Sequence, residues 1–288
     1  MTHDSLSQGT LYVVGTPIGN LEDMTFRAIA TLKNVTVIAA EDTRHTAKLL
    51  NHFEISTPQM SYHDHNRFSR IPEIISRLEQ GQTIALVTDA GMPGISDPGY
   101  ELIKACRDAN LAVTPIPGAT AAITALSVSG LQTDRFVFEG FLPAKGKERR
   151  DRLESLKPET RTIVLYEAPH RVVQTLQDLA AVLGGDRPIV LGRELTKRYE
   201  EFWRGSVAEA IALYETRNPM GEYTLIVDGA TTHALELTDD ALRSELTHLL
   251  EQGFSRSHAS RELAQQTDLP RRRIYQLALT ISDKEIPS

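Results

Sequence analysis

The chain has 288 residues, of which 41% are hydrophobic and 24% charged, so it carries the core of about two domains at roughly 150 residues each and is too apolar to be disordered. With 31 Lys+Arg against 38 Asp+Glu the formal net charge is -7, which excludes a uniformly basic nucleic-acid coat but not a local basic patch. The single cysteine, Cys106, excludes an internal disulfide and a Cys-rich zinc site, and it suits a reducing compartment. No run reaches the roughly 18 to 20 apolar residues of a membrane span, and Met1 to Ser5 lacks the basic start of a signal peptide. A cytoplasmic protein is expected.

Short apolar runs alternate with amphipathic segments. Leu11 to Val14, Val35 to Ala40, Ile84 to Val87 and Leu111 to Val113 read as buried strands, with helices predicted over Phe26 to Leu32, Ile71 to Gln80 and Tyr100 to Asp108. This alternation predicts an α/β fold with a largely parallel sheet. A second set of runs follows Gly130: Phe136 to Phe138, Thr162 to Tyr166, Ile189 to Leu191 and Tyr223 to Val227, with helices over Val172 to Leu183 and Val207 to Tyr214. The strand Glu200 to Gly205 lies only a few residues beyond Leu195, so antiparallel pairing in a mixed sheet is expected. The chain divides into an N-terminal α/β domain, 1-120, and a second α/β domain, 121-230, joined through Gly118 to Ser129. After the turn-like Thr231-Thr232-His233, residues 238-288 show only helical periodicity, and Asp268 before Leu269-Pro270 signals the start of a last helix. This tail is expected to be a three-helix module.

Three loops at strand ends are rich in glycine and proline: Gly15 to Leu21, Thr88 to Gly99 and Pro115 to Ala122. Ligands of open α/β sheets bind at the carboxyl ends of strands, and glycines there permit close backbone approach. None of the loops matches the G-x-G-x-x-G or P-loop pattern, so triphosphate and standard nicotinamide chemistry are disfavoured. Glu41-Asp42-Thr43-Arg44-His45 and Ser61-Tyr62-His63-Asp64-His65-Asn66 place carboxylates and imidazoles after strands, where they suit proton transfer. A metal held by His63, His65 and Glu41 or Asp42 is the lesser reading, and helix capping accounts for Asp42-Thr43 equally well. Tyr166-Glu167-Ala168-Pro169-His170-Arg171 and Gly192-Arg193-Glu194-Leu195-Thr196-Lys197 add two arginines suited to phosphate or to structural ion pairs. From Lys145 to Arg161 seven basic residues face four acidic ones, and from Ser255 to Tyr275 five face two, so each segment nets +3. The first reads as a basic loop. The second, with Arg271-Arg272-Arg273 opening a helix, has the spacing of a nucleic-acid reader.

The loops Gly15 to Leu21, Thr88 to Gly94 and Pro117 to Ala121 resemble those of the tetrapyrrole methylase superfamily. More narrowly, Glu41 to Arg44, Tyr62 to Asn66, Tyr166 to Arg171 and Gly192 to Lys197 resemble the family within it that methylates small-subunit ribosomal RNA. The resemblance spans nearly the whole chain. It implies two α/β domains with S-adenosylmethionine in the cleft between them, a homodimer, and methylation of a cytidine ribose 2'-hydroxyl in the decoding centre of bacterial 16S rRNA, with free rRNA or the 30S subunit as substrate; no metal ligand is assigned. It also implies that Pro17, Asp89, Met92, Thr120, Ala121, Tyr166, Leu195 and Thr224 lie against the methyl donor. The family pattern leaves the proton acceptor open among Asp42, His63, Asp64 and Glu167. Arg44, Arg171 and Arg193, with Lys145, Lys147, Arg149, Arg150, Arg271, Arg272 and Arg273, are expected to hold RNA phosphates. The competing readings are a small-molecule methylase of tetrapyrrole type, against which the basic segment and helical tail argue, and a non-catalytic RNA-binding module.

Overall fold

The computed structural model describes residues 7, 9–230, 239–267 and 269–281. They fall into two compact units, 1–230 and 231–288. The first unit holds both sheets. Strands β1 (Thr10–Val14), β2 (Val37–Ala40), β3 (Gln59–Ser61), β4 (Ile84–Val87) and β5 (Ala112–Ile116) form an all-parallel sheet of order β3-β2-β4-β1-β5. Helices α1 (Phe26–Asn34), α2 (Thr43–His52), α3 (Arg67–Glu79) and α4 (Tyr100–Asp108) connect them. A central parallel strand is covered on both faces, so it reads as an unbroken apolar run. The two-residue alternation then sorts its side chains: Tyr12, Val14, Ile38 and Ala40 face Leu32 and Leu49, while Leu11, Val13, Val37 and Ala39 face Ile74, Leu78 and Leu102. Cys106 is buried on that second side.

The other sheet is mixed. It contains β6 (Phe136–Phe141), β7 (Thr162–Glu167), β8 (Pro188–Arg193), β9 (Glu201–Ser206) and β10 (Tyr223–Val227) in the order β6-β7-β10-β8-β9. Only β6 and β7 run parallel, and β9 pairs antiparallel with β8, as the short connection requires. One face packs on α6 (Gly146–Leu156), α7 (Val172–Leu183) and α8 (Val207–Thr216) through Leu153, Leu176, Leu179 and Val207. The opposite face meets α5 (Ala121–Ser127) through Val164, Val190, Ile226, Ala125 and Leu126.

The segment expected as a joint over Gly118 to Ser129 contains α5, whose N-cap Thr120 side chain accepts from Ile123 N at 3.4 Å. One expectation is corrected. The segment expected as a basic loop over 145–161 is largely helix α6. Its buried stripe is Arg149, Leu153 and Leu156, a proper helical spacing that begins with an arginine, so a search for apolar periodicity passes over it.

In the second unit α9 (Asp239–Glu251), α10 (Arg256–Thr267) and α11 (Arg271–Thr280) share a core of Leu242, Leu246, Leu263, Ile274 and Ala278. The linker Thr231-Thr232-His233, residue 238 and the start signal Asp268 lie outside the described residues. Among the described residues no helix is long and apolar enough to cross a membrane.

Candidate active site

The glycine-rich loops of the parallel sheet are joined by their backbones. Gly15 N donates to Ile116 O at 3.0 Å, and Thr16 and Gly91 exchange N–H···O bonds of 2.9 and 3.1 Å. Gly15 and Gly118 touch: a Cβ on Gly118 would stand 2.7 Å from the Gly15 carbonyl carbon, closer than any side chain allows. Beside this seam lies a cavity of about 530 Å³. That size suits a small organic ligand, for which pockets run roughly 300–1,000 Å³.

The loop after β4 forms one wall by doubling back. Gly94 N donates to Pro98 O at 3.2 Å, and a Cβ on Gly99 would lie 2.9 Å from Gly94 N, so the turn demands glycine. Its tip, Ile95-Ser96-Asp97, points toward the second sheet, and Ser96 takes a left-handed φ of 62°. Gly140 of β6 admits Ser96 Oγ, which a Cβ there would meet at 2.9 Å. From the second sheet come Phe141, Tyr166, Glu167 and Thr224, and from the loop after β8 comes Leu195. Tyr166 is held by its ring against Phe138, with centroids 5.0 Å apart, and by its hydroxyl, which accepts from Ala122 N at 3.1 Å. Asn20 N donates to Thr196 Oγ1 at 3.1 Å and ties the first loop to the one carrying Leu195.

Charge in the cavity has one sign. Glu41, Asp89, Asp97, Glu167 and Glu222 line it, with His170 at the exposed rim and, among the described residues, neither lysine nor arginine in the wall. Burial, followed by repulsion from Glu41 and Asp89, pushes the Asp97 carboxyl up to about 7. Burial also raises Glu41, although its bond with the Asp89 backbone opposes this. Such a wall favours a cationic ligand with an apolar part and repels a polyphosphate.

Seven of the eight residues expected at the cofactor line this cavity: Asp89, Met92, Thr120, Ala121, Tyr166, Leu195 and Thr224. Pro17 is buried one position before the lining residue Ile18. Of the four expected proton acceptors only Glu167 lines the cavity, and its carboxylate is already engaged. It accepts from Thr175 Oγ1 at 2.6 Å and Ala168 N at 2.9 Å, with Arg171 Nε at 3.3 Å. Asp42 caps α2, accepting from Arg44 N at 2.8 Å and His45 N at 3.4 Å, and these bonds lower its pKa. Asp64 is paired with Arg67, and His63 sits half-buried in the same turn. The rings of His63 and His65 lie 5.9 Å apart, and among the described residues no group of three or more His, Cys, Asp or Glu side chains is placed to hold a metal.

The cations expected at phosphates separate into two sets. Arg149 is buried, binding Asp178, Thr175 Oγ1 and the Pro143 carbonyl, so it belongs to the α6–α7 contact and is not a surface cation. Arg171 donates to Leu142 O at 2.5 Å, and Arg193 donates to Met220 O at 2.6 Å beside Glu201. Both are corrected to internal braces. Lys145, the N-cap of α6, and Lys147 and Arg150 within the helix are exposed, and Arg44 is 94% exposed at the start of α2. In the second unit Arg272 is exposed, Arg271 donates to Ser257 Oγ at 3.0 Å, and Arg273 pairs with Asp239 at 2.9 Å.

Asp97 and Phe141 are lining residues that the motifs did not single out. Asp97 lies within the glycine-rich loop, but nothing in Ile95-Ser96-Asp97-Pro98 tells which of its side chains turns inward.

A family model for tetrapyrrole (corrin/porphyrin) methylases matches residues 10–211. Curated relatives named ribosomal RNA small subunit methyltransferase I include one from Synechocystis sp., 57% identical over 95% of this chain and 98% of its own length. Another, from Bacillus subtilis, is 46% identical over 93% of each chain. The crystal structure of uroporphyrin-III-C-methyltransferase from Thermus thermophilus has the same fold, with a TM-score of 0.56 at 21% identity over 77% of this chain and 94% of that one. The chain belongs to the tetrapyrrole methylase family and, within it, to the group whose members are named ribosomal RNA small subunit methyltransferase I.

Proposed function

We propose that this protein transfers the methyl group of S-adenosylmethionine to the ribose 2'-hydroxyl of a cytidine in the decoding centre of 16S rRNA, acting in the cytoplasm as a homodimer. The observation that carries the reading is a cavity walled by carboxylates and apolar side chains, without lysine or arginine. The donor is a sulfonium with an ammonium, a single carboxylate and a flat adenine, so its net positive charge and apolar base match that wall. The names of the relatives supply the substrate class.

When bound, the donor supplies an electrophilic methyl carbon. The residues that would hold it are Asp89, Met92, Thr120, Ala121, Tyr166, Leu195 and Thr224, with the Gly15–Gly118 contact closing one side. Displacement at that carbon is in-line, so the wall contributes mainly by fixing distance and angle and by excluding competing water. Lys145, Lys147 and Arg150 on α6 offer free cations to RNA phosphates, as does Arg272 on α11.

The test is tritium transfer from labelled donor to undermethylated 30S subunits and to free 16S rRNA, followed by nucleoside digestion. Label in 2'-O-methylcytidine is the expected result. Label in a tetrapyrrole substrate but not in RNA overturns the reading. Sedimentation of the free protein checks the dimer.

A further inference from the structure

A ribose hydroxyl is a weak nucleophile while it keeps its proton, and a positioned base is the usual remedy. Three conditions select it here: the group must reach the cavity, must not be consumed by protein donors, and must bind a proton near neutral pH once the hydroxyl attacks. Glu167 fails the second, being held by Thr175, Ala168 and Arg171. Glu222 is paired with Lys197 at 2.7 Å. The Glu41 and Asp89 carboxylates each accept a backbone N–H across the ends of β2 and β4: Asp89 N donates to Glu41 Oε2 and Asp42 N to Asp89 Oδ1, each at 3.3 Å. His170 stands at the exposed rim.

Asp97 meets all three conditions. It lines the cavity from the tip of a turn that Gly94 and Gly99 make possible, and the strained φ of Ser96 directs that tip across to β6. After burial, the largest influences on its carboxylate come from Glu41, Asp89, Asp64 and Glu222, all of the same sign. Burial first, and then the charge of Asp97, raise the pKa of the Tyr166 hydroxyl, which places the two groups near each other in the cavity.

We propose that Asp97 is the carboxylate that takes the proton from the 2'-hydroxyl during methyl transfer. This rests on the methyltransferase reading above. In the step, the hydroxyl oxygen forms the new O–C bond, the S–C bond breaks with its electron pair going to sulfur, and the hydroxyl proton passes to Asp97 and then to water. The leaving thioether is neutral, so charge balances. Burial, followed by repulsion among the carboxylates, raises the proton affinity of Asp97, and a bound sulfonium acts in the opposite direction.

The experiment compares wild type with Asp97→Asn, Asp97→Glu and His170→Ala in single-turnover methylation of undermethylated 30S subunits from pH 5.5 to 9, with calorimetric binding of S-adenosylmethionine measured in parallel. Expected for Asp97→Asn is a loss of about 10²–10⁴-fold in rate, donor binding within about threefold of wild type, and disappearance of the rising limb of the pH profile. Asp97→Glu should recover part of the rate and keep a limb. A rate for Asp97→Asn within threefold of wild type, with its limb intact, overturns the proposal, as does transfer of the limb's dependence to His170. A variant that no longer binds donor overturns the base role in favour of a binding role. A wild-type protein inert on both RNA forms overturns the function on which the proposal rests, a result distinguishable from failure of Asp97 alone.

Discussion

The donor cavity and the outer face of α6 belong to the same compact unit, yet they treat charge in opposite ways. The cavity gathers five carboxylates with neither lysine nor arginine among its lining residues, whereas α6 keeps Lys145, Lys147 and Arg150 exposed and turns Arg149 inward to Asp178. A net charge of -7 averages over both regions and describes neither. An arginine is a surface cation or an internal brace according to what its helix packs against. Arg149 and Arg150 are sequence neighbours with opposite roles because a helix turns about 100° between them.

The sharpest way to break this comparison is Arg149→Ala. It leaves Asp178 and Thr175 without their partner in a largely buried contact and should cost about 3–5 kcal/mol in urea denaturation; a loss under 1 kcal/mol would return Arg149 to the surface set. Gly118→Ala forces a Cβ against the Gly15 backbone and should weaken donor binding at least about tenfold, roughly 1.4 kcal/mol by calorimetry. Unchanged affinity would mean the seam yields without disturbing the cavity.

Replacing Lys145, Lys147 and Arg150 together by alanine tests the outer face. Stability should stay within about 0.5 kcal/mol. The slope of log affinity for RNA against log salt should fall by up to about 2 to 3, because each phosphate that a cation neutralises adds roughly 0.7–0.9 to it. An unchanged slope would remove α6 from the RNA interface. The smallest effect is expected for Asp42→Ala. Its carboxylate is held below the ordinary 3.8 by the Arg44 and His45 amides, so it stabilises the fold above that value and loses the effect as pH falls through the depressed pKa. Melting temperatures of wild type and variant should therefore differ slightly at pH 7 and converge in acid, with methylation rate unaltered. A large rate loss would restore Asp42 as a candidate base.

Much of the scaffold is readable from local pattern. The runs Leu11 to Val14 and Ile84 to Val87 are buried on both faces and could hardly be anything but inner strands, and the short reach from Leu195 to Glu201 required β9 to fold back on β8. The pattern fails where a polar residue takes a core position, as Arg149 does in α6, and where a helix is as short as α5. At the site, the glycine-rich loops signalled the cavity because close backbone contact leaves its mark on composition, as at Gly15 and Gly118. Asp42, His63 and Asp64 had equal standing with any cavity residue, since the wish for a carboxylate or imidazole after a strand does not say where its side chain turns.

By itself the sequence determined the α/β class, the helical tail, the three ligand loops and the family, because periodicity, turn chemistry and motif spacing are properties of neighbouring residues. Tertiary structure decided which charges are free. It consumed Arg149, Arg171, Arg193 and Glu167 in internal pairs and left Asp97 facing the cavity among other carboxylates. Proton affinity and availability depend on burial and on partners; Asp178 reaches Arg149 from 29 positions away and Asp89 reaches Glu41 from 48, and no local pattern encodes those distances.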